Sequence, residues 1–391
     1  MWLNKRDIDA NVQQFVKRGG NEEPIVAPIF IGNERYEIKN ILSSGGFGII
    51  YKAIDKRLGN REVLIKARRY DNEMGLFLHK YDVKRYDRIK AIRENTRFEI
   101  KALSTFKKGR EARMPNVNNI VEGFCPSIYG PHKSLDGEIY CCGDVDENNN
   151  NELLKKENEL LCTEPYIVMQ TIPGETLGQY IEDGIDTVMK RRGFTHKIEW
   201  EKCVLEYAKE IASILKDIHK EEDPKIEKLQ QEGAKVYHIY QDLKPENIMI
   251  TDDKVITLLD FGGITGVLKR KDETTMSNIG GCGNPGIGTE GYMAPEAITM
   301  PDRLDKRVDV YTLGVTVYHL LMGGKISDLI EPGKRIDVDK LEKQGYTPST
   351  CELVRKSTEF NREDRYKNMG EVRDQIMKCF SNLKIYYYNQ N

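Results

Sequence analysis

Apolar positions in this chain change period several times, and each change predicts an element. Between residues 4 and 18, Ile8, Val12, Phe15 and Val16 fall at helical spacing and end at Gly19-Gly20, a helix stop, after which Pro24 and Pro28 predict an extended connection. From Tyr36 the period shortens to two. Tyr36 to Leu42 and Ile49 to Ile54 read as paired strands around Ser43-Ser-Gly-Gly-Phe-Gly48, a hairpin with a glycine-rich tip, and a third strand ends in Val63-Leu-Ile-Lys66. Thr96 to Phe106 returns to helical spacing through Phe98, Leu103 and Phe106. Gly-Pro, Asp-Gly and an asparagine run at 148 to 151 predict loops between Val121 and Leu161. Pro165 to Leu177 reads as a strand, a short extended link and a turn into a helix. Beyond it helices prevail. Trp200 to His219 is amphipathic, with Val204, Tyr207, Ile211, Ile214, Leu215 and Ile218 on its apolar face, and the charged stretch from Glu221 to Lys235 is expected to extend or cap it. Val310 to Met322 is the most apolar helical stretch. His319 interrupts it and it is too short for a bilayer, so it is read as a buried core helix.

Composition narrows the class. The 391 residues suffice for one large two-lobed domain or two ordinary ones. Charged residues make up 31% with a net charge of −2, which gives no electrostatic reason to expect nucleic acid or membrane partners. The charge is uneven: 16 Lys or Arg stand against 8 Asp or Glu between Arg61 and Arg113, and 2 against 9 between Asp136 and Glu164, both read as solvated faces. Eight scattered cysteines without a C-x-x-C pair fit a reducing cytoplasm. The spacing of Cys125, His132, Cys141, Cys142 and Cys162 matches no compact zinc site, so buried or idle thiols are expected. The N-terminus lacks the apolar run of a secretory signal, and a soluble protein is expected.

The chemistry concentrates in Tyr237-His-Ile-Tyr-Gln-Asp-Leu-Lys-Pro-Glu-Asn-Ile-Met-Ile250 and Val255-Ile-Thr-Leu-Leu-Asp-Phe-Gly262. Asp242 precedes Lys244 by two residues and Asn247 by five, so a tight loop can aim all three side chains at one point. A second strand then delivers Asp260 beside Asn247. A carboxylate and an amide oxygen converging there suit a hard cation, and Mg²⁺ carrying a nucleotide is the expected occupant. A lone Asp or a lone Asp-Phe-Gly is ordinarily turn chemistry. The ordered combination, bounded by apolar strands, sets this stretch apart from that reading.

Asp-Leu-Lys-Pro-Glu-Asn followed by Asp-Phe-Gly resembles the catalytic and metal loops of the protein kinase family. The resemblance runs in the usual order from about Arg35 to Phe380. It implies an α+β, two-lobed fold: an extension over 1–33, an antiparallel-sheet N-lobe with one helix over 34–172, carrying a loop-rich insertion near 122–162, and a larger helical C-lobe over 173–391. It further implies that Gly45, Gly46 and Gly48 cover the phosphates of ATP, with Ser43 where the family usually has its first glycine. Ile50, Met249 and, at the back of the adenine pocket, Met169 would line the nucleotide site, and the backbone of Gln170 to Ile172 would hydrogen-bond the adenine. Lys66 would neutralise the inner phosphates with Glu99 as its anion, Glu94 being a nearby competitor. Asp242 would orient the substrate hydroxyl and accept its proton, Lys244 would balance charge on the phosphoryl group, and Asn247 and Asp260 would hold Mg²⁺.

Further along, Gly286 to Glu296 resembles the family's substrate platform, and the polar stretch from Lys269 to Gly283 before it reads as a mobile functional loop. Asp309 resembles the aspartate that braces the catalytic loop, and Arg365 the arginine that pairs with Glu296. Thr289 and Lys244 point to protein serine and threonine acceptors, and the long insertions resemble bacterial members. Three positions depart from the family: Tyr240-Gln241 for His-Arg, Ser43 for glycine, and Leu64 for the small alanine that touches adenine. A neutral Gln241 removes the cation that would receive a phosphorylated loop, here at Thr274, Thr275 or Ser277. The expected function is thus an ATP- and Mg²⁺-dependent Ser/Thr protein kinase. A nucleotide-binding pseudokinase scaffold is the alternative, with a small-molecule kinase behind it, disfavoured by the substrate platform; the oligomeric state stays open.

Overall fold

The computed structural model describes residues 12–15, 25–28, 30–31, 35–45, 48–67, 99, 131–133, 139–141, 167–225, 227–251, 254–271, 276–281, 288–330 and 334–390. The described residues form two compact units that part after Thr171.

In the first unit, Val12–Phe15 (β1) pairs antiparallel with Ile25–Pro28 (β2). Helical spacing predicted a helix here. Four residues with a β-branched and an aromatic end suit a strand equally well, and a partner as β-prone as Ile25-Val26 decides the matter. The main sheet is antiparallel and holds Phe30–Ile31 (β3), Tyr36–Gly45 (β4), Gly48–Asp55 (β5) and Arg61–Ala67 (β6). Within the loop-rich insertion expected near 122–162, Pro131–Lys133 (β7) and Ile139–Cys141 (β8) form a separate ladder. Ile167–Gln170 (β9) closes the main sheet in the order β3-β4-β5-β6-β9.

The period-two pattern explains the two faces of that sheet. Tyr36, Ile38, Ile49, Tyr51, Ala53, Val63, Ile65 and Val168 form one buried cluster. Burying each larger aliphatic or aromatic side chain contributes about 1.5–3 kcal/mol. Residues directly opposite share a face, so the pairs Ile50 with Lys66 and Leu64 with Met169 lie on the other side. Arg35 closes the base of the β4–β5 hairpin by a bidentate contact to Asp55, with Nε 3.0 Å from Oδ1 and Nη2 2.7 Å from Oδ2.

The second unit opens with Gly174–Thr176 (β10), Leu177–Ile181 (α1) and Ile185–Arg192 (α2). Lys197–Ile218 (α3) starts at a capping box in which the His196 side chain accepts from the first turn and Glu199 reaches back. It does not continue into the charged stretch after it. Pro224 cannot extend a helix, and the chain instead bridges Glu222 to Val236 around the short helix Glu227–Gln231 (α4) before Lys235–Ile239 (β11). Ile248–Thr251 (β12) and Ile256–Leu258 (β13) join β10 in a three-stranded sheet. Thr265–Lys269 (β14) pairs with β11 on one side and with Met276–Gly281 (β15) on the other. Part of the expected loop is therefore a strand; Thr274 and Thr275 lie outside the described residues.

Helices complete this unit: Pro295–Thr299 (α5), Arg307–Met322 (α6), Ile326–Leu329 (α7), Asp339–Lys343 (α8), Pro348–Ser357 (α9) and Met369–Gln390 (α10). α6 is the axis. Every residue from Val308 to Leu321 is buried, and α3 and α9 pack against it. Trp200 of α3 donates its indole N–H to Leu320 O at 3.0 Å, so the largest buried side chain carries no unmet donor. No helix among the described residues is long and apolar enough to cross a membrane.

Candidate active site

The site in the second unit is built on the first turn of α6. Asp309 is fully buried, and its Oδ2 accepts from Tyr240 N at 2.8 Å while its Oδ1 accepts from Gln241 N at 2.7 Å. His219, at the end of α3, places Nε2 2.7 Å from the same Oδ2. A buried carboxylate with three partners is a fixed point, and β11 runs directly into it. The chain then reverses at Gln241, whose φ of 67° lies in the left-handed region, a conformation that costs a non-glycine residue about 1–3 kcal/mol and persists only where surrounding bonds hold it.

That reversal presents Asp242, which is 3% exposed. Asn247 donates its side-chain N–H to Asp242 O at 2.8 Å and Oδ2 at 3.0 Å. Its amide nitrogen is thereby committed, which leaves the carbonyl oxygen as its ligand atom. Lys244 Nζ lies 3.3 Å from Asp242 Oδ2. Thr289 donates its hydroxyl to Asp242 Oδ1 at 2.9 Å and accepts from Lys244 Nζ. Tyr292 stands close by. Burial, helped by the negative charges of Glu246 and Asp242, pushes its phenol far above the usual range, so it stays protonated.

Asp260 reaches the same neighbourhood through the β12–β13 pairing, which sets Ile248 opposite Leu258 and lets Leu259 N donate to Asn247 O at 2.8 Å. Asp260 also lies in the left-handed region, at φ 48°, and accepts from Gly262 N at 2.9 Å. The donor set offered by Asn247 and Asp260 is one amide oxygen and one carboxylate, hard oxygen ligands of the kind Mg²⁺ takes together with phosphate oxygens and water. Met249 is half-buried on β12, opposite Thr257.

In the first unit Lys66 Nζ sits 2.9 Å from both carboxylate oxygens of Glu99, and both residues are buried. Glu99 lies in a helix; Glu94 lies outside the described residues. Met169 is buried directly opposite Leu64, and Gln170 pairs with Val63. Ser43 is exposed and faces Ile50 across the hairpin, while Gly45 opposes Gly48 at its tip. Gly46 is outside the described residues. Ile172, past the end of β9, is half-buried in the second unit.

Residues 152–382 match the family model described as the protein kinase domain. The chain belongs to the protein kinase family. Over 371 residues it is 26% identical to a probable serine/threonine-protein kinase of Clostridium acetobutylicum, covering 92% of this chain and 41% of that protein. It is 35% identical over 136 residues to the serine/threonine-protein kinase PknL of Mycobacterium tuberculosis, with 33% of this chain and 32% of that protein covered. A probable serine/threonine-protein kinase PknB of Bifidobacterium longum shares 23% over 300 residues, 76% of this chain and 31% of the relative. The chain thus spans a third to two fifths of the length of the curated relatives it matches.

Glu296 and Arg365, which the resemblance pairs, meet as a buried bidentate pair at 2.6 and 2.8 Å. Most of the cysteines weighed for zinc lie outside the described residues; among those described, no group of three or more His, Cys, Asp or Glu is placed to hold a metal ion. Sequence reasoning left out the direct contact of Thr289 with both Asp242 and Lys244, although it named Thr289 as a sign of acceptor class. It also took Gln241 only as the loss of a cation. The amide is in fact turned inward, donating to Gly263 O at 2.9 Å and Thr265 Oγ1 at 2.5 Å.

Proposed function

We propose that this chain is a Ser/Thr protein kinase that transfers the γ-phosphoryl group of ATP to serine or threonine hydroxyls of protein substrates. The observation that carries this reading is the buried carboxylate of Asp242 with Lys244, Asn247 and a hydroxyl donor already at hydrogen-bonding distance. Asp242 orients the acceptor hydroxyl and takes its proton, as Thr289 Oγ1 already donates to Oδ1. Lys244 places a positive charge beside that oxygen, where negative charge from the phosphoryl group gathers. Asn247 Oδ1 and the Asp260 carboxylate hold Mg²⁺, which when bound offsets the charge of the nucleotide's outer phosphates. Lys66, steadied by Glu99, engages the inner phosphates, and the backbone at the Gly45–Gly48 tip covers them. The resemblance assigns contacts with the base to Met169, Leu64 and Ile50 of the first unit and to Met249 of the second, and its hydrogen bonds to the backbone of Gln170 to Ile172.

The names of the relatives support serine and threonine as acceptors. Free thiols at Cys203, Cys351 and Cys379 support a reducing compartment such as the cytoplasm. The test is transfer of label from radiolabelled ATP with Mg²⁺ to a generic basic protein, for the native sequence beside Asp242→Asn and Asp260→Asn. Each variant should lose transfer by about 10²–10⁴-fold, the contribution of a positioned acid–base or charge-stabilising group, with circular dichroism unchanged. Near-normal turnover in either folded variant would sink the assignment. Nucleotide binding without transfer by the native sequence would instead make the chain a scaffold.

A further inference from the structure

We propose that Gln241 is a positioning residue for the metal-binding aspartate, acting through Thr265. This rests on the reading of Asp260 as a metal ligand and adds how that ligand is held. Asp260 is followed at once by Phe261-Gly262-Gly263, and the chain enters β14 at Thr265. Gln241 grips both ends of the stretch from Gly263 to Thr265: its side-chain N–H groups reach Gly263 O at 2.9 Å and Thr265 Oγ1 at 2.5 Å. The grip is inside the protein, with Gln241 5% and Thr265 1% exposed. Thr265 is in turn paired with Ile239 on β11 and Gly281 on β15, so it is the inner end of the hairpin that follows the metal loop.

Two further observations make the contact more than packing. Gln241 and Asp260 are both non-glycine residues in left-handed backbone, a strained state that needs bonds on either side to persist. The Gln241 amide supplies such a bond between the two strained turns. The fit around Gly263 is also close: a Cβ there would stand 3.1 Å from Tyr240 O and 3.3 Å from the Asp242 side chain. The stretch that Gln241 holds therefore runs directly against the proposed base. A neutral amide suits this place. The acceptors that Gln241 meets are a carbonyl and a hydroxyl, both neutral, and a neutral amide satisfies them without burying a charge.

The experiment uses the full chain and reads metal-assisted nucleotide binding as well as turnover. Titration calorimetry with a non-hydrolysable ATP analogue, with and without Mg²⁺, is run on the native sequence, Gln241→Met, Thr265→Val and Thr265→Ser. Gln241→Met and Thr265→Val keep shape and lose the hydrogen bond. Each should weaken the metal-dependent part of binding by about 10- to 100-fold, the usual cost of losing a group that orients a metal ligand, and raise the Mg²⁺ needed for half-maximal rate by a similar factor. Metal-free nucleotide binding and the KM for a peptide substrate should stay within about twofold, a split that general loosening does not produce. Thr265→Ser restores the hydroxyl and should restore the metal dependence. Should Gln241→Met fail to fold, the Thr265 pair decides alone. An unchanged Mg²⁺ dependence in folded Thr265→Val, or equal defects in Thr265→Ser and Thr265→Val, overturns the proposal. Binding that Mg²⁺ does not improve even in the native sequence overturns the metal reading on which it rests.

Discussion

Arg365→Lys keeps the positive charge and should still destabilise the second unit heavily. The Arg365 side chain is 0% exposed, and each of its five N–H donors has an acceptor. Nε donates to Glu359 O at 2.7 Å; Nη1 to Glu296 Oε1 at 2.6 Å and Arg307 O at 3.2 Å; Nη2 to Glu296 Oε2 at 2.8 Å and Phe360 O at 3.1 Å. An ammonium has three donors. At least two of the five acceptors then lose their partner, and a buried group left unmet costs about 1–3 kcal/mol. Two such groups cost about 2–6 kcal/mol, set against a total stability on the order of 5–15 kcal/mol.

Arg365→Met goes further, because it strands Glu296, 4% exposed, as a lone buried carboxylate. Breaking a buried pair this way costs about 3–5 kcal/mol before the backbone bonds are counted. The double variant Arg365→Met, Glu296→Met removes both charges and should be less damaging than the two single changes added together. Urea unfolding read by Trp200 fluorescence measures this, with Trp2→Phe as background so that one indole in the affected unit reports. The midpoint should fall at constant slope. A loss of under about 0.5 kcal/mol for Arg365→Lys, the scale of an ordinary surface change, would refute the donor count as the source of stability.

Two predictions concern charge elsewhere. Lys66→Ala and Glu99→Ala should each weaken nucleotide binding, and the double variant should be no worse than the stronger single one, because the 2.9 Å pair acts as a unit; simple addition of the two losses in a calorimetric titration would place the lysine's partner elsewhere. Burial opposes ionisation of Asp305, but its hydrogen bonds to Arg307 and that residue's charge outweigh burial and hold the carboxyl below its usual range. A pKa lower in the folded than in the unfolded state gives stability that is present above the unfolded value and is lost as pH falls through the folded one. The stability gap between the native sequence and Arg307→Leu should therefore be full near neutrality and shrink as pH drops below the ordinary carboxylate range. A gap independent of pH, from urea midpoints across the acid range, would count against Asp305 as its origin.

Much of this arrangement was legible because it is local in sequence. Asp242, Lys244 and Asn247 converge within six positions, and four residues separate the end of β12 from the strand that delivers Asp260. Alternation revealed the main sheet for the same reason: the buried face at Ile49, Tyr51, Ala53, Val63 and Ile65 is written at every second residue. Val12–Phe15 was misread because four residues fit both periods, and only pairing with Ile25–Pro28 separates them. The same holds for Met276–Gly281, whose polar, glycine-rich sequence gives a weak strand signal and which takes its form from the register with β14. Glu227–Gln231 is separate from α3 because of Pro224, a signal that was available in the sequence. The inward contacts of Gln241 were not legible because its acceptors lie 22 and 24 positions away, at Gly263 and Thr265, a relation that no period encodes.

The departure at Tyr240-Gln241 also shows why a site can change two side chains and keep its frame. Asp309 binds this dipeptide through backbone N–H groups, which any residue other than proline supplies. The brace from α6 is therefore indifferent to what stands at 240 and 241, and both side chains are free to take other work. Both have taken it on the segment around Asp260. Tyr240 donates its hydroxyl to Leu259 O, just before Asp260, and sets its ring edge-on to Phe261 at 5.2 Å, just after it. Gln241 holds Gly263 and Thr265 beyond. Asp260 is thus bracketed on both sides by the consecutive residues Tyr240 and Gln241, which are anchored in turn to the fully buried Asp309. Positional order thus passes from the buried helix α6 to the loop that carries Asp242 and from there to the segment around Asp260.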